Sequence, residues 1–120
     1  MNDLYILDDE WNPVPCNDVV VWGRWFETAD RVVACDVDER EESPYKGQRI
    51  STVFIGLDHR FGRSGPPILW ETLVFGGPLD GEMDRYTSLD EARKGHHRMC
   101  QRVLDAQRPG KQDQPQTPQD

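Results

Sequence analysis

The sequence predicts an α+β fold, an antiparallel sheet of four or five strands with two helices. In residues 51–58, Val53, Ile55 and Leu57 alternate with other residues, a period of two that is typical of a strand. In residues 89–106, apolar side chains recur every three or four positions, which indicates a helix that packs on one side. A Gly/Pro-rich loop joins residues 51–58 to a second apolar run at 68–75, so these two strands are expected to pair as a hairpin.

The chain is expected to form one domain. A length of 120 residues supports a single core, and we assign residues 1–108 to one globular unit. The polar tail, residues 109–120, is predicted to be disordered, because it offers almost nothing to bury against the entropy of ordering. No apolar run approaches the roughly 18 residues that span a bilayer, and the N-terminus does not resemble a signal peptide. We therefore expect a cytoplasmic protein that does not bind membranes.

Three elements are predicted before the hairpin. Residues 4–7 form a short apolar run before a turn at Asn12 and Pro13, and we interpret it as a strand. Residues 18–29 show a helical stripe, with Asn17 or Asp18 as the N-cap. Residues 31–37 alternate again and predict a second strand.

The register of the central hairpin follows from its loop. If Asp58 lies near Pro67, one face is predicted to carry Val53, Ile55, Leu57, Ile68, Trp70 and Val74. The other face is then predicted to carry Phe54, Leu69, Glu71, Leu73 and Phe75. Both faces would be largely apolar, so other elements should cover each of them at least in part.

The C-terminal part predicts an edge strand and the clearest helix. Residues 82–87 could form a short edge strand, and Ser88 with Glu91 forms a capping box that opens a helix over residues 88–107. Its apolar stripe is expected to contain Leu89, Ala92, His96, Met99, Val103 and Ala106. Gly95 costs about 1 kcal/mol relative to Ala inside a helix, so a close packing contact is expected there.

The net charge of the chain argues against one functional class, the general nucleic-acid binder. With 22 Asp and Glu against 14 Lys and Arg, the net charge is −8. A general nucleic-acid binder needs clustered cations to neutralise phosphates, so direct nucleic-acid binding is not expected. Three cysteines without a CxxC spacing favour reduced thiols over a disulfide framework or a familiar zinc motif.

The acidic residues form two clusters that are candidates for a binding surface. The candidates are Asp8, Asp9, Glu10, Asp36, Asp38, Glu39, Glu41 and Glu42. The second cluster separates two predicted strands, and such a charge run usually forms a solvated loop. The alternative is an acidic finger that docks on a partner with a basic surface.

Catalytic and metal-binding possibilities are weaker. Asp58, His59, Glu71 and His96 could serve a metal-assisted hydrolase or nuclease if they converge in one cleft. His96 and Cys100 lie one helical turn apart and could reach one ion, with further ligands from His59, His97, Asp58 or Glu71. No phosphate loop or nucleophile motif is present. We expect neither a catalytic site nor a cofactor or metal.

Several motifs together resemble one family. They are RWFETADR at 24–31, STVFIGLDHRFG at 51–62, PPILWETLVFGG at 66–77, and Tyr86-Thr87-Ser88 followed by Glu91, Ala92, Gly95 and His96. The chain resembles, over residues 4–104, a family of small, uncharacterised proteins encoded by bacteriophages and prophages. It departs from that pattern in the acidic segment 38–46 and in the tail.

The resemblance implies a context and transfers no functional residue. Small acidic phage proteins without enzyme motifs are often accessory proteins that bind and block a host factor. The expected function is therefore inhibition of a host protein with a basic surface, such as a CRISPR or other defence complex, in the host cytoplasm.

Overall fold

The computed structural model describes residues 3–108. The strands are β1 (Tyr5–Leu7), β2 (Pro13–Pro15), β3 (Val32–Val37), β4 (Arg49–Phe54), β5 (Trp70–Phe75) and β6 (Met83–Tyr86), and the helices are α1 (Val19–Thr28) and α2 (Leu89–Gln107). Strands β3 to β6 form a four-stranded antiparallel sheet in sequence order, and β1 pairs with β2 in a separate two-stranded sheet. The predicted α+β class, both helices and the edge strand are confirmed.

The predicted tail, residues 109–120, lies outside the described residues. Within residues 3–108, neither helix combines the length and the apolar character that a membrane crossing requires.

Helix α1 is fixed at its start and against β1. The Asp18 carboxylate accepts hydrogen bonds from the backbone N–H groups of Val20 at 2.9 Å and Val21 at 3.2 Å, so Asp18 is the N-cap. The Trp22 indole N–H lies 3.0 Å from the carbonyl oxygens of both Tyr5 and Gly56. This contact joins α1, β1 and the segment that follows β4.

The main core lies between α2 and one face of the four-stranded sheet, and α2 contacts all four strands. The sheet contributes Ile50, Phe54, Trp70, Val74 and Tyr86, and α2 contributes Ala92, Met99 and Val103. Complete burial of a large apolar side chain contributes about 1.5–3 kcal/mol. These contacts are the main reason that α2 stays on the sheet.

The predicted register of the central hairpin is wrong by one residue. Phe54 pairs with Trp70, and Thr52 pairs with Thr72, so Phe54 rather than Val53 shares the buried face with Trp70. A slip of one residue exchanges the two faces of a strand. The cause is that two threonines, Thr52 and Thr72, occupy the core face and satisfy each other there.

The extent of β4 differs from the prediction, whereas the partial cover of the second face agrees with it. Strand β4 ends at Phe54 instead of continuing to residue 58. Gly56 has a positive φ of 70°, a conformation that glycine adopts readily, and it turns the chain toward β1. A side chain at Gly56 would also crowd the Trp22 indole. On the second face Leu73 is half-buried and Phe75 is exposed, so this face is only partly covered.

The start of α2 and its inner face agree with the sequence. The Ser88 hydroxyl accepts from the Glu91 N–H at 3.1 Å, and the Glu91 carboxylate accepts from the Thr87 hydroxyl at 3.1 Å. Gly95 packs so closely on Tyr86 that a Cβ atom at this position would overlap the tyrosine ring. The expected close contact at Gly95 is confirmed, and it explains why a poor helix former is placed there.

Candidate functional site

The loop between β3 and β4, residues 38–48, carries most of the second acidic cluster, and we call it the acidic hairpin. Asp38 organises it. The Asp38 carboxylate accepts from the Arg40 guanidinium at 2.9 Å and from the Ser43 hydroxyl at 2.6 Å, and its side chain is only 8% exposed. The Arg40 hydrogen bonds, followed by that from Ser43, hold the pKa of Asp38 well below its usual range. The loop is therefore built around an ionised, largely enclosed carboxylate.

The eight predicted binding acids divide into two groups. Asp8, Asp36 and Asp38 support the fold: Asp8 accepts from the backbone N–H groups of Glu10 and Asn12, each at 2.9 Å, and Asp36 accepts from His96. The remaining acids lie exposed on the surface; they are Asp9, Glu10, Glu39, Glu41 and Glu42. Glu41 also forms an ion pair with Lys46. A partner can bind this second group with the loss of one exposed ion pair of the fold, that between Glu41 and Lys46.

A groove of about 520 Å³ lies between the acidic hairpin and α2. Its apolar lining includes Val37, which is 44% exposed, and Leu104, which is 56% exposed. Asp36, His96 and Cys100 line it as well. The groove thus places exposed apolar groups next to the charged loop.

A chain of hydrogen bonds runs beneath α2 and ends in this groove. The chain begins at the Tyr86 hydroxyl, which donates to Thr72 Oγ1 at 2.9 Å, and Thr72 in turn contacts Thr52. Thr52 Oγ1 lies 2.7 Å from His96 Nδ1. The other ring nitrogen, His96 Nε2, lies 2.7 Å from Asp36 Oδ2. With Asp36 ionised, His96 carries its proton on Nε2 and donates to the carboxylate, and Nδ1 accepts from Thr52. Every hydroxyl then donates in the same direction, toward Asp36.

Thr52, His96 and Asp36 follow one another as a nucleophile, a base and an orienting acid do in a catalytic triad. Burial of Thr52 excludes a role as nucleophile. Thr52 has no exposed surface, so no substrate can reach its hydroxyl. The nearby thiol is also unsuited to nucleophilic attack. Burial and then the Asp36 carboxylate raise the pKa of Cys100 to about 11, which keeps it protonated near neutral pH.

The four residues of the hydrolase hypothesis do not come together. Glu71 pairs with Arg85 at 3.0 Å and lies on the face of the sheet opposite to Thr72 and His96, because successive side chains in a strand alternate. Asp58 accepts from the N–H groups of Arg60 and Ile68, each at 2.9 Å, and so closes its own loop. His59 Nδ1 lies 2.8 Å from the carbonyl oxygen of Leu57. The contacts of Asp58 and His59 stabilise the loop after β4. His96 has a different partner, Asp36.

Sequence reasoning missed Asp36 as the partner of His96. The two residues are 60 positions apart, and the only sequence signal is an acid within an otherwise apolar strand. The chain matches no protein-family model, and no curated protein or solved structure is significantly similar to it. The resemblance to phage-encoded proteins therefore stays an expectation.

Proposed function

We propose that this chain is a binding protein rather than an enzyme, and that the acidic hairpin docks on a basic surface of a partner protein. One observation carries the proposal: Glu39, Glu41 and Glu42 are exposed on a loop whose backbone is organised by the enclosed Asp38. A loop that is already ordered loses less conformational entropy on binding than a flexible one.

The surroundings of the acidic hairpin support this role. Glu41 and Glu42 line a depression together with Gln107, the last residue of α2. A helix C-terminus carries a partial negative charge from its free carbonyl groups. The end of α2 and the two glutamates therefore both contribute to a negative electrostatic potential in this depression. Such a field speeds association with a basic surface and selects among partners.

Affinity requires apolar contacts in addition to charge. Val37 and Leu104 line the groove beside the hairpin and are exposed. Most of the free energy of binding at protein interfaces comes from a few desolvated side chains, whereas charges at the rim chiefly affect the association rate. We assign Val37 and Leu104 to the first role and the glutamates to the second.

The resemblance to phage-encoded proteins directs the choice of partner. Host defence nucleases, including CRISPR effectors, hold nucleic acid in basic channels, and an acidic protein can occupy such a channel. The proposed activity is therefore inhibition of a host protein of this kind. The same negative charge argues against direct binding to nucleic acid.

The test is a pull-down from bacterial lysate with the wild type and a variant that carries Glu39→Gln, Glu41→Gln and Glu42→Gln. This variant leaves Asp36 and Asp38 intact, because their carboxylates accept hydrogen bonds within the fold. The wild type is expected to retain a host protein at low salt and to lose much of it at high salt, where charges are screened within a few ångströms. The triple variant is expected to retain far less at low salt.

A matched control removes three charges elsewhere: Asp3→Asn, Glu27→Gln and Asp84→Asn, of which Asp84 lies on the opposite edge strand, β6. The control is expected to behave as the wild type. The proposal is wrong if the wild type retains no host protein, or if the triple variant and the control retain the same partner equally well.

A further inference from the structure

We propose that Asp36, His96 and Cys100 form a binding site for one divalent cation of the zinc type, which would link β3 to α2. The ligand atoms of these three side chains all lie within 4.8 Å of one another. This inference concerns residues other than the docking glutamates and does not depend on the proposed function.

The donor set and its spacing suit zinc. His96 and Cys100 are four residues apart on α2, so their side chains lie on one helical face. Asp36 Oδ2 is 2.7 Å from His96 Nε2 and 3.4 Å from Cys100 Sγ. Zinc binds imidazole nitrogen, carboxylate oxygen and thiolate sulfur at about 2.0–2.3 Å. The Asp36 side chain is 66% exposed, so its carboxylate can adjust its position to an ion between these atoms.

His96 is oriented before any ion arrives. Its ring is buried, and Nδ1 lies 2.7 Å from the Thr52 hydroxyl. A hydrogen bond to the second ring nitrogen is the usual way in which proteins fix a histidine ligand. With an ion on Nε2, the ring proton lies on Nδ1 and is donated to Thr52. The hydroxyls of Thr52, Thr72 and Tyr86 then all turn, so that each donates away from His96.

The charge of the site balances after binding. The Asp36 carboxylate contributes one negative charge to the site. The ion brings two positive charges, and Cys100 releases its proton to solvent as it becomes a thiolate. The loaded site, with one carboxylate, one thiolate and one divalent ion, has no net charge, which suits a partly enclosed position.

Three protein ligands leave one position of a tetrahedral ion open. All three ligands line the groove, so water or a donor atom of a bound partner can fill that position. His97 lines the same groove, as do the cationic side chains of Arg40 and Arg93. Arg40 is bound to Asp38, which leaves Arg93 as the main opposing charge among the described lining residues.

The experiment is a titration with Co²⁺, a coloured substitute for zinc, of the full chain purified without a histidine tag. One equivalent is expected to give the visible bands of tetrahedral cobalt and a near-ultraviolet thiolate-to-cobalt band. Cys100→Ser should abolish the thiolate band, and Asp36→Asn should weaken binding. Cys35→Ser is the matched control, because Cys35 is an exposed thiol on β3, the strand that also carries Asp36. It is expected to bind cobalt as the wild type does.

A second measurement on the wild type removes any dependence on the folding of the variants. Addition of zinc should shift the imidazole resonances of His96 in an NMR spectrum and leave those of His59 unchanged. The proposal is overturned if His96 does not respond to zinc, if the thiolate band persists in Cys100→Ser, or if it is lost in Cys35→Ser. The triple glutamine variant should still bind cobalt, which separates this test from that of the docking surface.

Discussion

At the scale of single residues, Thr52 links β4 to β5 and to α2 through its hydroxyl. It is fully buried and contacts both Thr72 and His96. We predict that Thr52→Val lowers the free energy of unfolding by about 1–3 kcal/mol, because buried partners lose a hydrogen bond. The loss is expected although valine is a better strand former.

Chemical denaturation of Thr52→Val and of Ser51→Ala tests this prediction. Ser51 is the neighbouring residue on β4 and is only half-buried on the other face, so its substitution should change stability by about 0.5 kcal/mol or less. Equal effects of the two substitutions would show that the buried network contributes nothing to stability.

Asp8 gives a prediction about pH. The backbone N–H of Asn12, and then that of Glu10, lower the pKa of Asp8 below its ordinary value of 3.8. A carboxyl group whose pKa is lower in the folded state stabilises the fold above pH 3.8, and this contribution is lost as the pH falls through the folded value.

The wild type should therefore melt at a higher temperature than Asp8→Asn near neutral pH, and the difference should shrink in strong acid. Thermal melts of both proteins between about pH 6 and about pH 2 measure it. A difference that stays constant or grows toward pH 2 contradicts the assigned role of Asp8 in the turn between β1 and β2.

At the scale of elements, the two helical glycines provide a matched pair. Gly95→Ala in α2 would place a methyl group into the Tyr86 ring, whereas Gly23→Ala in α1 meets nothing within 4 Å. We predict that Gly95→Ala destabilises the protein by about 1–3 kcal/mol through overpacking. Gly23→Ala should stabilise it by up to about 1 kcal/mol through helix propensity. Urea unfolding of both variants decides the matter, and a stabilising Gly95→Ala would refute the packing of α2 on β6.

The elements that sequence predicts well are those with local signals. Asp18 and Ser88 mark both helix starts through contacts with residues two to three positions away. The predicted register of the hairpin is wrong because the alternation of Val53, Ile55 and Leu57 placed these residues on the same face as Trp70, which Thr52 and Phe54 occupy instead. Paired threonines in a core carry no local signal, since their burial depends on each other and on His96.

The candidate sites show the same division between local and distant information. The exposed glutamates of the acidic hairpin could be proposed from composition alone, because like charges in a loop remain solvated. The contact of Asp36 with His96 and Cys100 could not, because it depends on how α2 lies across β3. The sequence pairs His96 with Cys100 through their spacing on one helix, but nothing local adds Asp36 to that pair.

At the scale of the whole molecule, the net charge of −8 is distributed between acids that support the fold and acids that are free to act outward. Asp8, Asp36 and Asp38 belong to the first kind and Glu39, Glu41 and Glu42 to the second. If Glu39, Glu41 and Glu42 steer a basic partner, removal of these three charges must reduce the dependence of the association rate on ionic strength. A general effect of net charge would instead depend on the number of charges and not on their place.

The decisive measurement is the association rate constant with the captured host partner as a function of salt, for the wild type, the triple glutamine variant and the control that lacks three other acids. The wild type and the control should lose rate steeply between low salt and about 0.5 M, while the triple variant starts slower and changes little. Identical salt dependence in the triple variant and the control would contradict docking through the acidic hairpin.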